Sequence, residues 1–164
     1  MKKLANLKWI PTWASMVGCI HGCLKHLEVD PGFSWFYGGT GHAFIINMSR
    51  DDSCPSGPTA WNTSPFYDLG KNLGFQIEGI FSDKGQPDWE EKQAEAWLLA
   101  RTALDNGLPV FGWELAIPEF YVINGYDETG YYYDGPGAEN GPNPKPWNEL
   151  GLSEIGILEV LSIK

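Results

Sequence analysis

From Pro109 onward the chain carries only strand-forming runs, and directly before them stands its one long amphipathic segment, Asp88 to Asn106. This order constrains the fold more than any other feature. Trp89, Ala96, Trp97, Ala100 and Leu104 recur at helical spacing; Asp88 with Glu91 predicts a capping box, and Gly107 with Pro109 predicts the stop. The strand runs are Pro109 to Leu115, Glu119 to Tyr126, Gly130 to Tyr133 and Ile155 to Ile163. Asn124 to Gly130 is a turn sequence, so Phe120 to Tyr133 is expected to form a β-hairpin. Helices first and strands last is an α+β arrangement, with an antiparallel sheet closed by the final strand.

Nearer the N-terminus, Met16, Cys19, Ile20, Cys23, Leu24 and Leu27 form one stripe of a helix predicted over Ser15 to Leu27, with Gly18 and Cys19 in its first turn. Pro31 to Gly41 reads as a glycine- and aromatic-rich turn region, and Ala43 to Met48 as a short apolar strand. A second helix is expected over Pro65 to Asn72 and a strand around Phe75 to Phe81. Asp51 to Pro58 and Asp134 to Pro146 read as loops, no internal repeat is visible, and 164 residues suit a single domain, 1–164.

Composition narrows the partners. With 11 Lys and Arg against 21 Asp and Glu, the net charge of −10 opposes a nucleic-acid or anionic-membrane surface, since each phosphate contact wants a basic side chain. No apolar run reaches the ~18 residues of a membrane span, and Leu4 to Ile10 is too short and polar for a signal-peptide core. A cytoplasmic location is therefore expected, and the end of the chain just after a strand suggests that related chains continue into a further domain. Cys19, Cys23 and Cys54 are an odd set that does not read as a disulfide framework, so reduced thiols are expected. Eight Trp, seven Tyr and eight Phe suit a core plus a lined groove, although simply filling the core is the stronger reading.

Cys19 is the leading candidate for chemistry. A thiol in the first turn of a helix feels the positive end of the macrodipole, which lowers its pKa and favours the thiolate. The competing reading is a small buried side chain on the stripe; from position alone it is the stronger one for Cys19, and more so for Cys23. A cysteine nucleophile usually works with an imidazole and a third group that orients it. His21, His26 and His42 all lie in the first third of the chain, and His42, in the Gly38–His42 loop, is the one placed to fold over a helix start. Cys19, Cys23 and His26 at i, i+4 and i+7, completed by Cys54 or His42, are a weaker zinc-site alternative, because the spacing is not a CxxC pattern. Glu114, Glu119, Asp127 and Asp134 on or beside neighbouring strands are a carboxylate alternative.

Two sets of segments carry a family likeness. Cys19 to Leu27 (CIHGCLKHL) and Phe36 to Phe44 (FYGGTGHAF) resemble the N-terminal part of the butirosin-biosynthesis protein H-like domain. Gly107 to Phe111 (GLPVF), Glu119 to Asp127 (EFYVINGYD) and Gly130 to Pro136 (GYYYDGP) resemble the C-terminal hairpin of that group and of peptidase C39-like proteins. The resemblance implies a papain-like fold, an N-terminal helix bearing Cys19 packed on a C-terminal antiparallel sheet, used for peptide hydrolysis or acyl transfer. It puts Cys19 in the nucleophile position and Asp134 in that of the orienting acid. The histidine position holds Glu119, and Trp13 stands where an oxyanion glutamine is expected. The expected function is a cysteine hydrolase or acyltransferase acting on an amide, thioester or peptide, with Cys19 attacking and His42 or Glu119 moving the proton. The alternative is an inactive module of the same fold that binds a small molecule or peptide in an aromatic-lined cleft around Glu119. A zinc- or thiol-dependent sensor comes third. No cofactor or resident metal is expected for either of the first two.

Overall fold

The computed structural model describes residues 1–45 and 62–164. Seven strands form one sheet: β1 (Lys2–Lys3), β2 (Ile77–Asp83), β3 (Val110–Trp113), β4 (Phe120–Tyr126), β5 (Gly130–Asp134), β6 (Lys145–Pro146) and β7 (Ile157–Ile163). Every pairing is antiparallel, and the order is β2-β7-β3-β4-β5-β6. Strand β1 continues the β3 side of β4, opposite Gly125 and Tyr126. The hairpin expected over Phe120 to Tyr133 is β4-β5.

The final strand does not close the sheet; it lies inside it, between β2 and β3. All seven of its residues are buried. A run such as ILEVLSI would leave an apolar ladder open at an edge, and pairing on both sides removes that liability.

Four α-helices accompany the sheet among the described residues: α1 (Ser15–His26), α2 (Phe33–Gly39), α3 (Ser64–Leu69) and α4 (Trp89–Asp105). Helix α4 packs on β2, β7 and β4. Its predicted capping box does not form. Asp88 has φ −97° and ψ 17°, away from the extended geometry that lets a cap side chain reach back, and makes no side-chain cap bond. Glu90 and Glu91 instead place negative charge in the first turn.

The segment Pro31 to Gly41 is also more regular than its glycines predict, since Phe33–Gly39 is helical. Phe36 is fully buried there, with its ring 5.8 Å from Phe66 and 6.4 Å from Phe75, and that burial outweighs the low helix propensity of Gly38 and Gly39. His42–Phe44 is a 3₁₀ turn rather than the start of a strand. Residues 46–48 of the expected strand, and Cys54, lie outside the described residues.

Helix α1 packs on β4, β3 and β7. All of Ser15 to Leu24 is buried, because a second layer covers the side away from the sheet. The chain from Lys8 to Ile10 crosses the helix at Gly18 and Gly22. The Ile10 N–H donates to the Gly18 carbonyl at 3.2 Å, and a Cβ at Gly18 or Gly22 would collide with the carbonyls of Ile10 or Lys8. Glycine is needed at both positions for this approach.

Candidate ligand-binding site

The first turn of α1 begins at Ser15, so Cys19 lies one turn further in. This displaces it from the free N–H groups that would lower its pKa. Burial is complete and pushes the Cys19 thiol well above the ordinary cysteine range. Cys23 and the charges of Asp134 and Glu119 add in the same direction. The expected depression is thus reversed, because desolvation of a thiolate outweighs a remote helix dipole. Cys23 is likewise buried and raised by burial.

Ser15 instead occupies the helix start. Its hydroxyl donates a short hydrogen bond to Glu119 Oε2 and accepts one from the Phe120 N–H at 3.0 Å. Glu119 is delivered by the β3-β4 connection, where Glu114 takes φ 58° and donates its N–H to the Glu119 carbonyl at 2.8 Å. The left-handed backbone of a non-glycine residue is tolerated there because Ser153 holds the Glu114 carboxylate at 2.7 Å. Asp134, at the end of β5, accepts the Trp9 N–H at 3.1 Å, and the Trp9 indole N–H donates to the Ser15 carbonyl at 3.2 Å. Glu119 therefore meets the start of α1 directly, and Asp134 is linked to it through Trp9. Both are hydrogen-bonded to groups other than the Cys19 thiol, Glu119 to Ser15 and Asp134 to Trp9. Sequence patterning gives no sign of the Ser15 pairing, since a lone serine before an apolar stripe reads simply as a helix cap.

His42 is packed beside the rings of Tyr37 and Phe66, with centroids 5.2 and 5.4 Å away, and burial lowers its pKa. His26 is turned to the Gly107 carbonyl at 3.1 Å, and His21 pairs with Asp30 at 2.6 Å. Among the described residues no group of three or more His, Cys, Asp or Glu could hold a metal ion, so Cys19, Cys23 and His26 do not assemble the zinc set considered above. Of the carboxylates, Glu114 is bonded to Ser153 and Asp127 caps its own turn through the Thr129 and Gly130 N–H groups. They do not join Glu119 and Asp134 in one cleft.

The aromatic cleft lies where the chain enters α1. Trp9, Pro11, Thr12, Trp13, Phe33 and Tyr37 line a cavity of about 570 Å³. Glu119 is not in its wall; it stands one step behind, through Ser15 and the Trp9 indole. Trp13 is fully exposed and Phe33 is 38% exposed, whereas Trp113, Phe111 and Phe120 fill the core. Helix α2 sets Phe33 and Tyr37 one turn apart, with ring centroids 6.2 Å from each other. Phe33 in turn rests edge-on against His21 at 4.1 Å, which α1 holds in place.

No family model matches the chain, and no curated protein matches it. Fold and site define an α+β protein with a buried cysteine pair on its central helix and an aromatic pocket at that helix's entrance. Among the described residues no helix is long and apolar enough to cross a membrane.

Proposed function

We propose that this chain is a ligand-binding module on a papain-like layout, with the position of the catalytic thiol given over to packing. The observation that carries the reading is the contrast between two places one helical turn apart. The Cys19 thiol is fully buried with a raised pKa, while four aromatic side chains line an open pocket beside the helix start. A cavity of this volume suits a small organic molecule or a peptide side chain. Glu119 serves the pocket as a support: it anchors Ser15, whose carbonyl holds the Trp9 indole. Cysteine hydrolysis is the less supported reading, because an anion in place of imidazole disfavours the thiolate it would have to assist.

The reading is tested by following the indole N–H signals in nitrogen-15 NMR spectra while small aromatic and aliphatic fragments are added. Trp9 and Trp13 are expected to shift first, and the buried Trp113 to stay in place. Fragments that collect elsewhere, or shift none of the indoles, would overturn the assignment of the pocket.

A further inference from the structure

The pocket has a charge setting as well as an apolar lining. Asp30 accepts the N–H of Gly32, the residue before Phe33, at 2.8 Å; Asp134 accepts the N–H of Trp9; Glu119 holds Ser15. Asp30 is held below the usual carboxylate range: partial burial raises it, and the Gly32 N–H together with His21 and Lys25 outweigh that. Asp134 thus stands one hydrogen bond behind the aromatic walls, Asp30 one hydrogen bond and one residue, and Glu119 two hydrogen bonds, through Ser15; none of the three lines the cavity itself. Against them stand Lys8 beside Trp9, and His21 and Lys25 around Asp30. The chain as a whole carries −10. Among the described residues no basic side chain lines the pocket, which disfavours an anion there.

We propose that the pocket formed by Trp9, Trp13, Phe33 and Tyr37 takes a small soluble molecule through a quaternary ammonium group. Ring faces attract a cation within about 6 Å of their centroids, most strongly when they belong to Trp. A methylated ammonium ion is weakly hydrated and has no N–H to satisfy, so a wall of rings replaces its water at little loss. The background carboxylates add a long-range attraction without forming an ion pair that would favour a hydrogen-bonding amine. An ammonium group fills only part of about 570 Å³, and the remainder admits the rest of the molecule.

This inference rests on the binding reading above, and the experiment separates the two. The protein is titrated with choline and, in parallel, with 3,3-dimethylbutan-1-ol, which has the same shape and no charge, while the Trp9 and Trp13 indole signals are followed. Choline is expected to bind about fivefold more tightly, the scale of one partly exposed cation–π site. Raising the salt concentration should narrow the ratio only slightly. Trp13→Ala, at a fully exposed position that folding does not need, should erase the preference, and Trp13→Phe should keep part of it. Equal binding of the two probes, or tighter binding of the alcohol, would overturn the ammonium class and leave the apolar pocket standing. Failure of both probes to shift either indole would overturn both readings.

Discussion

At the scale of single residues, the chain separates groups that its sequence sets side by side. Cys19 and Ser15 are one turn apart on α1, yet the thiol faces the core while the hydroxyl meets Glu119 and the Phe120 N–H. Ser15→Ala removes both bonds and leaves the buried Phe120 N–H without its acceptor. A loss of about 1–3 kcal/mol is expected, read as a lowered urea midpoint. Glu119→Gln still offers an oxygen to the hydroxyl, so its loss should be the smaller of the two; the reverse order would contradict this account of the pair. That Glu119 and Asp134 share one end of the β4-β5 hairpin was legible, because a turn sequence between two strand runs fixes which residues lie opposite. The partner was not. The helix begins at Ser15, as its spacing predicts, but which of its first residues meets Glu119 depends on how the helix is rotated against β4, a contact distant in sequence.

Among the elements, α4 and the β4-β5 hairpin were the most legible, since each owes its form to local periodicity and a turn sequence. Helix α2 was not. Its run FSWFYGG has two glycines and no side-chain cap, and it is held by contacts distant in sequence, chiefly the burial of Phe36 against Phe66 and Phe75 and the Phe33 ring against His21. Nor could local pattern place β7 between β2 and β3, because strand order is set by contacts distant in sequence. Two glycines in helices test this view of the elements with opposite signs. At Gly22 an added Cβ meets the Lys8 carbonyl, so Gly22→Ala should cost about 1–3 kcal/mol in spite of alanine's better helix propensity. At Gly38 an added Cβ meets nothing within 4 Å among the described residues, and Gly38→Ala should stabilise by about 0.4–1 kcal/mol. Urea unfolding of the two variants checks both. A stabilised Gly22→Ala would mean that the Lys8 to Ile10 crossing is not tight.

For the whole molecule, the acidity of one buried group sets a pH dependence of stability. Glu159, in the middle of β7, is 2% exposed; Tyr67 donates to its Oε1 at 2.9 Å, and its Oε2 is buried with no hydrogen-bond partner among the described residues. Burial raises its pKa from 4.5 to about 7, against the lowering effect of the Tyr67 bond. Between those values the folded chain keeps a proton that the unfolded chain releases. The contribution of Glu159 is therefore most favourable below pH 4.5, declines as pH rises, and above pH 7 has fallen by about 3 kcal/mol. Glu159→Gln keeps the acceptor for Tyr67 without the charge. Relative to the parent it should gain stability as pH rises from 4.5 to 7, and a difference that does not change with pH would show that Glu159 titrates normally.

The same desolvation that raises Glu159 seals Cys19, and on that point the account is most exposed. The native protein is treated with iodoacetamide at pH 7 and the modified sites are mapped by mass spectrometry, with a urea-unfolded sample alongside. Cys19 and Cys23 should remain unmodified while free cysteine is fully alkylated, and both should react once the chain is unfolded. Rapid and selective alkylation of Cys19 in the native protein would contradict the account and return the thiol to the role of an activated nucleophile.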